Sequence, residues 1–430
     1  MRIHELIGER RSDEEADLAK AALSGLLGGI MYNFLLIHRY MRGKAFRYDT
    51  LNGVRQVVET EEFELFTDTP SRTKFPRGFY WDSGFHNLVI QEWDWELSMD
   101  IVWSWIQLID ADGWIGREQM PGPESRENVP VQLRIQNPKY ANPPTMLLPL
   151  MKFLERAKEG NMKARKFINT CYPHIKRNIE WFLRTQYGTN QVVLKEGGSL
   201  FRWRGRSKHY TLTSGLDDYP RDEEPNDQEL HVDLACWMVM TFRCLSELAE
   251  FIEIWDDYYE YWERAENTLV SIEKHHWNET RGYYQDLAMR NGKLCFVDHF
   301  GYVSIMPLIL GIMRNTERES ILWQQVETKL LTDYGVGSLW KEDSFYRKGD
   351  QYWTGPIWIN MNYMLVQSLK EKGYRKEAQL ISQRVISNMA RVYKETGYVW
   401  EQYSEVVGEG QRSHPFTGWS SLVLLMMKVN

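Results

Sequence analysis

Apolar residues recur at helical spacing in window after window of this chain, and that recurrence limits what it can fold into. Asp13-Glu14-Glu15 puts acids at a helix start, and Leu23, Leu26, Leu27, Ile30 and Phe34 follow at helical spacing. Gly84–Glu92 and Trp93–Ile109 read as helices parted by a kink near Asp94. Further windows follow at Pro144–Lys158, Asn161–Tyr187, Asp227–Ile254, Asp257–Trp277, Phe300–Met313, Glu317–Leu331, Pro356–Lys372, Tyr374–Lys394 and Thr417–Met427. Residues 46–80 read as irregular, and only Gln191–Leu194 and Tyr283–Leu287 suggest short ribbons. About a dozen helices, joined alternately by short turns and long loops, predict an all-α domain. Helix pairs stacked in order suggest a closed helical toroid with its loops gathered on one face. No Ser/Gly or Pro repeat divides the chain, so residues 1–430 read as a single domain.

Composition narrows the function. A net charge of −7 without a basic block argues against a nucleic-acid footprint. Aromatic residues make up 13% of the chain, and rings with a polar handle suit flat sugar faces as well as a large core. Cys171, Cys236, Cys244 and Cys295 form no CxxC pair, so they read as buried thiols without a metal or redox motif. Ala21–His38 is the most apolar window of membrane-spanning length, but Ser24, Gly25, Gly28, Gly29 and Asn33 within it favour a buried helix in a soluble chain. HExxH, P-loop, dinucleotide and Ser-elbow motifs are absent.

The long loops share a vocabulary of acids, amides, Trp and Gly. It recurs in Phe75–His86, Asp110–Gln119, Ala141–Thr145, Tyr352–Asn360 and Trp400–Glu405. Five such loops make a polar, ring-lined pocket a better explanation than five unrelated turns. Thr213-Ser214-Gly215-Leu216-Asp217-Asp218-Tyr219-Pro220-Arg221 adds two adjacent carboxylates between a glycine and a proline, either as a rigid acid-bearing loop or as a turn capping the next helix. Glycosidic cleavage commonly needs two carboxyl groups, one protonating the leaving oxygen and one activating water or attacking. The candidates are Asp82, Asp112, Glu118, Asp217, Asp218, Glu229, Asp233, Glu401 and Glu405; taken singly, each reads as a surface acid or helix cap before it reads as a catalyst. Glu229 and Asp233, at i and i+4, are expected on one helical face. His86 reads first as a structural histidine. The sugar-contacting candidates are Phe79, Trp81, Asp82, His86, Asp112, Trp114, Arg117, Glu118, Gln119, Asp218, Trp353, Trp358, Trp400 and Trp419.

Phe75–His86, Ala111–Gln119, Ser214–Arg221, Trp400-Glu401-Gln402-Tyr403 and the closing His414-Pro415-Phe416-Thr417-Gly418-Trp419 together resemble the processing α-glucosidase I family, the mannosyl-oligosaccharide glucosidases of glycoside hydrolase family 63. The match runs in order from about residue 15 to the C-terminus. The resemblance implies an (α/α)6 toroid, no cofactor or metal, and an inverting hydrolase that removes the terminal α-1,2-linked glucose of the triglucosylated N-glycan precursor in the endoplasmic reticulum lumen. It implies Asp217 as general acid and Glu401 as general base, their carboxyls about 6.5–9.5 Å apart. It also implies that Glu229 and Asp233 support the acid or bind sugar, and that Asp218 holds the loop or binds sugar. Members of the family carry a membrane anchor and a β-sandwich ahead of the helices; both are expected to be absent here, leaving membrane association to segments outside this chain. The alternatives are a hydrolase of trehalose or of a glucosyl- or mannosylglycerate on the same fold, and a carbohydrate-binding protein without turnover.

Overall fold

The computed structural model describes residues 3–8, 11–31, 41–43, 46–51, 54–59, 63–120, 123–127 and 129–428. Its long helices are α1 (Asp13–Gly28), α2 (Tyr80–Trp93), α3 (Trp95–Ile106), α4 (Leu147–Lys158), α5 (Met162–Thr185), α6 (Val232–Phe251), α7 (Trp255–His275), α8 (Thr316–Lys329), α9 (Ile359–Glu371) and α10 (Arg375–Thr396). Caps set several starts. Ser12 and Glu15 form a reciprocal capping box at α1, and Asn161 and Asn315 cap α5 and α8. The kink expected near Asp94 is a junction of two helices: Asp94 Oδ1 accepts from the N–H groups of Glu96 and Leu97 at 3.1 and 3.0 Å and starts α3.

Side-chain patterning sorts these helices into two layers. Every residue of α2 from Tyr80 to Gln91 is buried, and α6 is apolar nearly all round, so both must lie inside. By contrast α10 buries Ala378, Ile381, Val385, Ile386 and Met389 along one stripe and turns its charges outward. The inner elements touch in a cyclic order. α2 packs on α4, α4 on α6, α6 on a short helix Met306–Ile309, that helix on α9, α9 on the 3-10 turn Trp419–Leu422, and that turn on α2. The outer partners α3, α5, α7 and α10 pack on α2, α4, α6 and α9, while α1 packs on the Trp419–Leu422 turn and on α10.

Small strands decorate the loops. Among the described residues they form six two-stranded ribbons and one three-stranded sheet. Those used below are β1 (Phe46–Leu51), β2 (Val54–Glu59), β3 (Gly78–Phe79), β4 (Glu118–Gln119), β5 (Ile135–Gln136), β6 (Asp286–Arg290), β7 (Lys293–Val297), β8 (Gln402–Tyr403) and β9 (Gly410–Gln411).

Several expectations are corrected. Within 46–80, read as irregular, β1 and β2 form a hairpin with Leu51 opposite Val54, and β5 joins β1 in parallel. The sequence signal was Asn52-Gly53, the pair that favours a two-residue hairpin connection. Gln191–Leu194 is not a ribbon but the start of a helix, Gln191–Lys195, because Asn190 Oδ1 accepts from Val192 and Val193 N–H. Tyr283–Leu287 does contribute strands, Tyr283–Tyr284 and β6. In Phe300–Met313 only Met306–Ile309 is helical; Gly311, at φ 64°, adopts the left-handed conformation that stops helices. α1 ends at Gly28, and Phe34 with residues 32–38 of the apolar window lie outside the described residues. Among the described residues no helix is long and apolar enough to cross a membrane. Cys171, Cys236 and Cys244 are buried free thiols, and Cys295 is half-buried.

One buried ion cluster ties the acid-bearing loop to this scaffold. Arg221 reaches Asp233 in the first turn of α6 with two contacts of 3.1 and 2.5 Å, and Asp286 of β6 at 2.7 Å. Asp286 Oδ1 also accepts the N–H of Val232, the first residue of α6, and Asp233 Oδ1 accepts from the Trp203 indole at 3.1 Å. Arg221→Met leaves two buried carboxylates without their cation and should cost about 3–5 kcal/mol, read as a lowered midpoint in urea denaturation.

Candidate active site

The loop Thr213–Arg221 begins as a 3-10 turn, Leu212–Ser214, closed by Gly215 at φ 76°. A Cβ at Gly215 would stand 2.9 Å from the Trp81 ring, so both the backbone angle and the close approach require glycine. Thr211 N–H donates to Asp217 O at 2.8 Å, and the Ser214 hydroxyl donates to Thr211 O at 2.7 Å, which keeps the loop short and stiff. Neither aspartate caps α6, whose first residue is Val232.

Asp217 opens onto a cavity of about 260 Å³. Glu401 lines the same cavity, together with Phe79, Trp81, Asp82, Arg117, Glu118, Tyr352, Trp353 and Trp419. These residues come from α2, the β3 and β4 ribbon, the loop before α9 and the chain's last segment, so packing alone brings 217 and 401 together. Glu401 precedes β8 and is held by four hydrogen bonds to three residues. Its N–H donates to Ser413 O and its Oε2 accepts Ser413 N–H, both at 3.0 Å. The Trp419 indole donates to its carbonyl at 3.3 Å, and the Tyr352 hydroxyl donates to Oε1.

The acids differ in their surroundings. Burial pushes the Asp217 carboxyl up to about 7; Asp218, Glu118 and Glu401 push the same way against the pull of Arg117, whose Nη2 lies 3.5 Å from Asp217 Oδ2. Asp217 Oδ1 is buried without a hydrogen-bond partner. Glu401 is also raised by burial, but the Tyr352 hydroxyl, the Ser413 N–H and Arg412 pull it back toward ionisation. Burial holds Asp82 well above the carboxylate range, opposed by Arg117 and reinforced by Glu401. Glu118 Oε2 is paired with Arg77 at 2.8 Å, and its Oε1 stands 3.7 Å from Arg117. One carboxyl is thus kept ready to hold a proton, and another is surrounded by donors to its ionised form.

The remaining candidates lie elsewhere. Glu229 stands before α6 rather than on it. Burial opposes its charge, yet His231 and Arg206 pull its carboxyl down to about 2, with Arg206 Nη2 at 2.7 Å. Asp233 is bound to Arg221, so these two acids brace the scaffold behind the loop. His86 Nδ1 meets Asp68 Oδ1 at 2.6 Å in the fully buried part of α2. Asp112 and Trp114 line a second cavity of about 450 Å³ beside Arg47, Trp181 and Arg184. The Gln119 amide donates to Gly116 O at 3.2 Å. Trp358 stacks behind Trp353 at 3.8 Å and 5°, and Trp400 lies on His414 at 3.9 Å. Glu405 is bound by Tyr346 and stands 3.8 Å from Arg347. Asp218 accepts backbone N–H groups. Tyr352, Arg77 and Phe416 belong to the cavity and escaped the sequence reading, although Tyr352 begins one of the recurring loops.

The glycosyl hydrolase family 63 C-terminal domain matches residues 2–429. The chain belongs to glycoside hydrolase family 63. This family 63 chain is 36% identical over 416 residues to a probable mannosyl-oligosaccharide glucosidase of Schizosaccharomyces pombe, covering 86% of the chain and 52% of that protein. It is 33% identical over 469 residues to the mannosyl-oligosaccharide glucosidase of Saccharomyces cerevisiae, covering 94% and 56%. The chain therefore spans about half the length of these relatives. Among solved structures, the family 63 mannosylglycerate hydrolase of Thermus thermophilus with Tris and D-glycerate shares the fold at 17% identity and a TM-score of 0.68, covering 95% of this chain and 99% of that one. The neutral trehalase of Saccharomyces cerevisiae shares it at 12% identity and 0.64, covering 90% and 77%.

The raised Asp217 carboxyl has a consequence for stability. In the unfolded chain it ionises near 3.8, in the folded chain near 7, so its contribution is full below about pH 4 and is lost as pH rises through 7. Asp217→Asn removes that loss. Denaturation midpoints measured from pH 4 to 8 should show the variant gaining on the parent up to about pH 7 and running parallel above it.

Proposed function

We propose that this chain is the catalytic part of an inverting exo-glycosidase that removes the terminal α-1,2-linked glucose from the triglucosylated high-mannose N-glycan precursor. The observation that carries the reading is that Asp217 and Glu401 face one ring-lined cavity, both raised by burial, with donors to the ionised form gathered at Glu401. The mannosyl-oligosaccharide glucosidases to which the chain is similar supply the substrate class. The cyclic packing order of the inner elements, each with an outer partner, supports an (α/α)6 toroid, and the continuous core from Leu6 to Met427 supports one catalytic unit. The family reading puts its work in the endoplasmic reticulum lumen.

In this mechanism Asp217 carries the proton and gives it to the glycosidic oxygen as the bond to the sugar breaks. Glu401, ionised, takes a proton from a water attacking the opposite face, so the anomeric configuration inverts. Arg117 steadies Asp217 once it has become a carboxylate. Phe79, Trp81, Trp353 and Trp419 offer ring faces to the sugar, with Asp82 and Glu118 beside them as hydrogen-bonding partners for its hydroxyls.

Asp217→Asn and Glu401→Gln should each lower glucose release by about 10²–10⁴-fold without unfolding the protein, and retained activity refutes the role assigned. Released glucose should first be detected by NMR as the β-anomer; the α-anomer overturns inversion. The pH profile should be bell-shaped, its alkaline limb near 7 from Asp217 and its acidic limb from Glu401. Release of glucose from a triglucosylated N-glycan, without glucose from trehalose or mannose from mannosylglycerate, supports the substrate. The reverse preference replaces it, and binding without release makes the chain a carbohydrate-binding protein.

A further inference from the structure

Asp218, beside the proposed proton donor, is not part of the cavity wall. Its Oδ2 accepts the N–H of Tyr352 at 3.0 Å and its Oδ1 the N–H of Trp353 at 2.6 Å, so both oxygens are engaged by successive backbone donors. The segment it grips has little regular structure of its own. Arg347 and Gln351 hold φ of 52° and 54°, angles that cost non-glycine residues energy and persist only where neighbours enforce them. On the other side of the same peptide, the Trp358 indole donates to Tyr352 O at 3.1 Å. Tyr352 is thereby fixed at both its N–H and its carbonyl, and its hydroxyl donates to Glu401 Oε1.

We propose that Asp218 is a positioning residue for Glu401: by gripping the Tyr352–Trp353 backbone it sets where the Tyr352 hydroxyl meets the base. One loop then carries the acid on Asp217 and, one residue on, aligns the base across the cavity. This rests on the roles proposed above for Asp217 and Glu401.

The charges around Glu401 come from several elements. Tyr352 and Arg412 face it from the loops before α9 and after β9, Asp82 from α2, and Asp217 from its own loop. Arg412 also lies 5.4 Å over the Tyr352 ring. Burial keeps the Tyr352 hydroxyl protonated, so it remains a donor throughout the working pH range. A donor to a carboxylate favours the ionised form, so losing or misplacing it moves Glu401 titration to higher pH.

The test follows the Glu401 carboxyl itself, by NMR titration of protein carrying 13C-carboxyl glutamate, with the resonance assigned by its loss in Glu401→Gln. Tyr352→Phe and Asp218→Ala should each move the Glu401 midpoint to higher pH, and the double variant no further than Tyr352→Phe alone. Asp218→Asn, which keeps acceptor oxygen on one side, should give a smaller shift in the same direction; it decides the matter if Asp218→Ala does not fold. In glucose release the acidic limb should move in the same order, with kcat reduced by about 10²-fold and KM nearly unchanged. A Glu401 midpoint unmoved in both Asp218 variants overturns the proposal, as does a raised KM with that midpoint unmoved, which makes Asp218 a sugar contact. The titration needs no turnover, so a chain that releases no glucose sinks the hydrolase reading while the link from Asp218 to Glu401 is still decided.

Discussion

The site depends on a buried arginine. Arg221 is 1% exposed at its side chain, and a lone guanidinium at such depth would be prohibitively costly. Asp233 and Asp286 make it tolerable, and because they belong to α6 and β6, neutralising one charge also binds three pieces of chain. The loop that carries Asp217 is fixed at its C-terminal end by this cluster. At its start it is fixed by Gly215 pressed against Trp81, and in its middle by Asp218 on the Tyr352–Trp353 backbone. With those anchors the loop needs no regular secondary structure to be rigid.

Rigidity matters because the electrostatics are finely opposed. Arg117 lowers both Asp217 and Asp82, while burial and the neighbouring acids raise them. Burial raises both Asp217 and Glu401, and at Glu401 the surrounding donors work against it. Glu229 with Arg206 and Glu118 with Arg77 form ion pairs that fix the walls near the reactive pair.

Much of the scaffold was legible in the sequence, because helices announce themselves through local spacing and caps. The bounds of α5, α8 and α10 fall within a few residues of their apolar windows. Where local signals competed, the reading failed. Gln191–Leu194 suggested a short ribbon, but Asn190 supplied two capping bonds and made a helix. The β1–β2 hairpin was missed although Asn52-Gly53 marks it. Glu229 was read onto a helical face that does not begin until Val232.

The site was legible as vocabulary but not as geometry. Acids, amides and tryptophans in five loops pointed to a ring-lined pocket, and the order of motifs pointed to family 63; both follow from residue identity alone. Identity could not tell Asp112 and Trp114, which face a second cavity, from Trp81 and Asp82, which face the first. Nor could it separate a paired acid such as Asp233 from an open one such as Asp217. Those distinctions depend on burial, on an arginine a few ångströms away, and on a tyrosine that meets Glu401 only because segments distant in the chain pack together. The sequence by itself determined the helices, the loop chemistry and the family. Only the tertiary structure decided which carboxyls share a cavity and which of them can keep a proton, because solvation and through-space charge are properties of neighbours that the chain order does not list.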